Sequence, residues 1–244
     1  MIRRAIKFVL LASSLIGGGL LALAATEART VDGSGVAATE SRPVGDVTDV
    51  TLSGVGDLTI VRGAVPALRV TADDNILPAL ETRTSGRKLT LRPRSWTGLK
   101  PKTKIAYTLV VPHLDALTVS GAGAARADRV AGDSLTVKVS GAGRAVLRDV
   151  EVSELTVDAS GSGAAAVGGD AGRLVVRVSG AGRIDAAECR AAGAEVRASG
   201  SGTAGVWATD ALDARASGSG TVKYRGAPDL TRKVSGAGRV LRLE

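Results

Sequence analysis

The sequence predicts an all-β protein, a parallel β-solenoid with coils of about 18–20 residues. Three observations point there. The phrase Ser-Gly-x-Gly begins at Ser53, Ser120, Ser140, Ser160, Ser179, Ser199, Ser217 and Ser235, and from Ser120 onward the steps are 20, 20, 19, 20, 18 and 18 residues. Before each serine, small apolar residues alternate with polar ones. Aromatic residues make up only 2% of the chain, whereas glycine occurs 32 times. A fixed period of this length marks a stacked-repeat architecture, and the composition suits a thin core of aliphatic layers.

The chain opens with a basic stretch, MIRRAIK, then the apolar run FVLLASSLIGGGLLALA, with Ala22-Leu23-Ala24 as an A-x-A cleavage site. Residues 1–24 therefore read as a secretory signal peptide. Its removal lowers the formal charge from +8 to +5, because Arg3, Arg4 and Lys7 are its only charges. The expected location is beyond the inner membrane: periplasm, cell surface or medium. No later apolar run is long enough to span a bilayer. Residues 25–45, polar and containing Pro43, read as a linker or first edge strand. The single cysteine, Cys189, excludes an intramolecular disulfide, so packing alone must stabilise the fold.

Residues 46–119 carry irregular strand signals. DLTIVRG, ALRVTADD, RKLTLRPR and KIAYTLVVP all alternate, punctuated by Gly63, Asp73-Asp74 and Ser85-Gly86. They predict longer strands that cap the N-terminal edge of the solenoid. Residues 120–244 are the regular coils. Leu135, Val137 and Val139 precede one serine; Leu155, Val157 and Ala159 the next; Leu174, Val176 and Val178 the third. This is the pattern of a half-buried strand. Alternation resumes after the second glycine, as in Ala145 and Leu147. A lone coil cannot bury its inner face, so copies must stack ~4.8 Å apart. Stacking puts the serines in a ladder whose hydroxyls can bond one another or adjacent backbone. A phosphate-cradling Gly-rich loop needs a helix N-terminus behind it and occurs once. Here the phrase recurs and feeds strands, so it reads as a corner.

The order GVGDLTIVRG, LRVTADDNILPALETRTSGRKLTLRPR, IAYTLVVPHLDALTVSGAGAA, with SGAGRI at Ser179–Ile184 and SGAGRV at Ser235–Val240, resembles the bacterial autotransporter adhesin, head GIN domain family. The resemblance covers roughly residues 46–240. It implies a right-handed parallel β-helix and a role in adhesion.

Catalytic constellations are sparse. Glycosidase chemistry needs two carboxylates facing one cleft, but Asp73 and Asp74 are neighbours in what reads as a turn. Asp210 and Asp213 lack a basic companion phrase. His113 has no partners at metal-ligand spacing, and Cys189 falls in an inner column beside Val130 and Val150. No cofactor or metal is expected. The sequence favours a non-enzymatic binding module, with a polysaccharide lyase or hydrolase and a structural envelope protein as alternatives.

Two basic features are candidate contact sites. Lys138, Arg177, Arg197, Arg215 and Lys233 stand two positions before their serines, interrupted by Asp158, and stacking would align them into a stripe. Glu195 and Asp213 partly balance it, so a solvated face is the plainer reading. The segment 92–104 carries Arg92, Arg94, Trp96, Lys100, Lys102 and Lys104 without an acid. Expected partners are an acidic glycan, lipopolysaccharide or an envelope protein. A single interleaved aromatic disfavours nucleic acid.

Overall fold

The computed structural model describes residues 29–94 and 97–243; the expected signal peptide lies outside them. The chain forms a stack of parallel coils. Each regular coil contributes one strand to a first face, turns at Ser-Gly-x-Gly, and contributes the next strand to a second face. β12 (Ala131–Gly141) begins the regular series, followed by β13 (Arg144–Ala159), β14 (Ala164–Val178), β15 (Arg183–Ala198) and β16 (Thr203–Ala216). β17 (Thr221–Arg225), β18 (Asp229–Val234) and β19 (Arg239–Arg242) end it.

Neighbouring coils pair in register, Leu135 on Leu155 on Leu174 and Val137 on Val157 on Val176. Each of these side chains is at most 1% exposed. The second face adds the column Ala125, Ala145, Ala165, Ile184, Ala204 and Val222. The core is thus a bundle of one-residue-wide columns running the length of the stack.

The return between faces is tighter than a loose connection. β13 to β16 run continuously across it, with register shifts where the strand bends. Arg129 (φ 59°), Asp149 (φ 52°) and Gly169 (φ 132°) make that corner. The opposite corner needs glycine twice, for two reasons. Gly141 has φ +73°, and a Cβ there would sit 2.9 Å from the Gly121 carbonyl of the coil below. At Gly143 a Cβ would lie 2.9 Å from Val119 Cγ1. The first glycine allows the left-handed turn; the second lets backbone touch the core column.

Layer order departs from chain order at the N-terminal end. β3 (Asp49–Gly54) and β4 (Asp57–Arg62) pair directly with β10 (Ala116–Gly121) and β11 (Ala124–Asp128). Ser53 therefore stacks on Ser120 across 67 residues of chain. The intervening chain passes to the far side of β3 and β4, where β7 (Lys88–Pro93) and β9 (Ala106–Val111) form the next parallel layer. Antiparallel strands then close the stack: β6 (Leu80–Ser85) on β7, β5 (Ala67–Asp73) on β9, and β2 (Ala37–Arg42) on β5. A short 3-10 turn at Leu77–Ala79 lies between β5 and β6. The Arg42 guanidinium donates to the Leu77 and Leu80 carbonyls, tying β2 to this cap.

At the other end the last layer places Arg232 on Ala214 and Arg242 on Tyr224. Arginine thus occupies positions that are core in the layers below, a charge set on an open edge where apolar residues would invite strand addition.

Candidate functional site

The first face carries the serine ladder and, two residues before it, the outward ladder Thr90, Thr51, Thr118, Lys138, Asp158, Arg177, Arg197, Arg215 and Lys233. The stripe expected from spacing therefore exists as aligned neighbours. Between the two ladders runs an open groove. One stretch, of ≈ 600 Å³, is lined by Lys138, Ser140, Asp158, Ser160, Arg177, Ser179 and neighbours. A second, of ≈ 760 Å³, shares Arg197 and Ser199 and continues past Arg215 and Ser217 to Lys233 and Ser235.

The hydroxyls are mostly unengaged. Ser120 Oγ donates to Ser53 Oγ at 3.0 Å, and Ser199 Oγ to the Val178 carbonyl at 3.3 Å. Ser140, Ser160, Ser179, Ser217 and Ser235 make no side-chain hydrogen bond among the described residues, so the expected hydroxyl chain is confined to these two links.

Three of the five cations are paired. Arg177 meets Asp158 at 3.5 Å and Arg197 meets Glu195 at 2.7 Å. Arg215 grips Asp213 with two bonds, Nε to Oδ1 at 3.1 Å and Nη2 to Oδ2 at 2.7 Å. That fork holds the Asp213 carboxyl below the usual carboxylate range, with the fields of Arg215, Arg197 and Lys233 adding to it. The same contact raises the Arg215 pKa. Lys138 and Lys233 have no carboxylate partner among the described residues. Five cations face three carboxylates, leaving the groove positive.

The described residues of the basic segment, 92–94 and 97–104, are anchored, and they lie between β7 and β9, where Ser-Gly-x-Gly makes the corner in the layers above. β8 (Thr97–Lys100) pairs in parallel with β1 (Arg29–Asp32). Beyond it, the Lys102 and Thr103 N–H groups both donate to the Asp73 carboxylate, which also accepts from Gly35 N. Asp73 is fully buried. Burial would raise its pKa, but the N–H groups of Thr103, Gly35 and Lys102 outweigh it and hold the carboxyl below the usual range. Arg92 pairs with Glu81 at 2.8 Å, Lys100 with Asp32 at 3.9 Å and Lys104 with Asp57 at 2.5 Å. Arg94 and Lys102 have no carboxylate partner among the described residues. Trp96 lies outside the described residues. Arg92 follows Leu91, which pairs with Leu52, and so falls at the level of Ser53. Arg92 thus lies on the same side of the stack as the stripe, separated from Lys138 by the layers of Thr51 and Thr118.

Asp73 is committed to backbone donors, and Asp213 to Arg215. His113 is exposed. Cys189 is fully buried in the column of Val150 and Gly169; burial, then the Asp170 charge, pushes its thiol up to about 11. Among the described residues no group of three or more His, Cys, Asp or Glu could hold a metal.

One feature escaped sequence reasoning. Trp207 points outward on β16, between Arg190 and Arg225 on the adjoining strands. The available signal was an aromatic at an outward position between buried Val206 and Ala208.

The family model described as "Putative auto-transporter adhesin, head GIN domain" matches residues 46–228. Among solved structures, a putative adhesin from Bacteroides fragilis aligns with a TM-score of 0.82 at 22% identity, covering 87% of this chain and 100% of that one. A putative lipid binding protein from Parabacteroides distasonis aligns with a TM-score of 0.76 at 24% identity, covering 88% and 100%. A putative adhesin from Parabacteroides merdae gives 0.67 at 21% identity, covering 88% and 100%. At these identities the likeness is one of fold. Comparison with curated proteins gives no match.

Proposed function

The chain belongs to the putative auto-transporter adhesin, head GIN domain family, and from that premise we propose a non-enzymatic binding module of the cell envelope that holds acidic glycan chains along its first face. One observation carries this reading: a ladder of mostly unengaged serine hydroxyls runs beside a ladder of cations in one open, net-positive groove. Hydroxyls can donate to and accept from sugar hydroxyls. Guanidinium and ammonium groups take carboxylates, sulfates or phosphates. A solenoid repeats both at each layer, which suits a polymer whose own groups repeat. A signal peptide at residues 1–24 would deliver the module across the inner membrane.

The enzymatic alternative loses its first acidic candidate, because Asp73 is sealed under three N–H donors. A lipid, the ligand class named for one structural neighbour, would have to meet this protein at its surface, since the core columns fill the interior. The test is titration with polygalacturonate and with a neutral glucan at low and at physiological salt. Binding of the acidic polymer alone, weakened by salt and lost in Lys138→Ser/Arg177→Ser/Arg197→Ser, is the expected result. Equal binding by the triple variant would remove the groove from the proposal.

A further inference from the structure

We propose a second, separate ligand site around Trp207 that takes a single anion-bearing sugar ring. Trp207 is half-buried on the second face, its backbone neighbours Val206 and Ala208 locked in the core. Arg225, one strand further on, reaches back across Trp207's strand. Its Nη1 donates to Glu188 Oε1 at 2.8 Å and toward the Ala187 carbonyl at 3.4 Å, fixing its fork beside the indole. The chain then turns at Gly226 with φ +96°, where a Cβ would run into the Ala208 carbonyl, so glycine lets this turn lie close against the strand that carries Trp207. The last layer closes the space with Arg242 and Leu243, the latter anchored by its N–H on the Tyr224 carbonyl at 2.7 Å. Trp207, Arg225, Gly226, Arg242 and Leu243 line an open pocket of ≈ 660 Å³.

Each part selects for chemistry. An indole and a leucine offer apolar surface to the C–H face of a pyranose, and the indole N–H can donate to a hydroxyl. Arginine forks match a carboxylate or sulfate with two parallel bonds. Arg242 has no carboxylate partner among the described residues, and Arg225 spends one nitrogen on Glu188. A neutral sugar would leave the arginines unused, and a bare anion would leave the ring unused. The site therefore selects a uronic acid or similarly charged sugar. It does not rest on the groove of the first face.

The test uses tryptophan emission in the Trp96→Phe protein, where Trp207 is the remaining indole. Trigalacturonate should give a saturable change; galactotriose and inorganic phosphate should each need at least about tenfold higher concentration. Arg242→Gln, at an exposed position, should weaken trigalacturonate about tenfold or more. The Lys138→Ser/Arg177→Ser/Arg197→Ser changes should leave the signal intact even if they abolish polymer binding. No saturable change, an equal response to galactotriose or phosphate, or indifference to Arg242→Gln would each overturn the site. Loss of the signal in the triple variant would assign it to the groove instead.

Discussion

Replacing Gly141 by alanine tests the stacking geometry at a single atom. The backbone there has φ +73°, and the added Cβ would lie 2.9 Å from the Gly121 carbonyl oxygen. That oxygen cannot swing aside freely, because it accepts from Ala142 N at 2.9 Å. The left-handed conformation costs an L-residue about 1–2 kcal/mol, and forcing an extra methyl into packed surroundings about 1–3 kcal/mol. Alanine also restricts the unfolded chain, which offsets about 0.5–1 kcal/mol. The net expectation is a loss of about 1–4.5 kcal/mol. Gly132 and Gly193 are the controls. Both lie in strands at ordinary φ, and an added methyl would meet nothing within 4 Å at either position. Alanine at either should be neutral or stabilise by up to about 1 kcal/mol. Urea unfolding followed by circular dichroism measures all three. Equal stability for Gly141→Ala and Gly132→Ala would refute the claim that this corner demands glycine for steric reasons.

Asp73→Asn should lower Tm, because a buried acceptor of three N–H bonds becomes an amide. Since the folded carboxyl titrates below its unfolded value, its contribution is full above the ordinary carboxylate pKa and fades as pH falls through the folded one. The Tm gap between wild type and variant should therefore be constant at neutral pH and shrink in acid; a gap that grows in acid would contradict the clamp. Cys189, buried with its thiol raised to about 11, should resist a thiol reagent at pH 8 until urea unfolds the chain, and prompt native labelling would show that its column opens. The triple change Lys138→Ser/Arg177→Ser/Arg197→Ser should cost less than about 2 kcal/mol, since it breaks exposed ion pairs; larger loss by urea titration would make the stripe structural. Arg232→Val should raise concentration-dependent self-association in sedimentation, by making the terminal edge apolar; a strictly monomeric variant would dismiss the charge as an edge guard.

The regular coils were legible because alternation assigns each residue a side, and a fixed period assigns each strand a neighbour. Leu155 could be placed over Leu135 by counting. Counting fails where pairing is non-local: nothing in the chain marks Ser53 as the neighbour of Ser120, nor β5 as the antiparallel partner of β2 and β9. The bend at Arg129 and Asp149 was hidden for another reason. Positive φ in non-glycine residues is imposed by stacking and leaves no compositional trace. The basic stripe was readable as geometry, but the pairing within the 92–104 segment was not, because its carboxylates Asp32, Glu81 and Asp57 come from three separate strands. Trp207 was overlooked because its arginine neighbours stand 17 and 18 residues away, and become neighbours only when the coils are laid one on another.

The most direct test of the groove is how affinity depends on ligand length. Lys138 and Lys233 stand five layers apart, ~24 Å along the stack. Calorimetry with galacturonate oligomers of increasing length, in the Arg242→Gln background, should show affinity rising with each added sugar until the chain spans that distance, then levelling off. Affinity that is the same for a dimer as for a long oligomer would contradict a ladder that reads its ligand layer by layer.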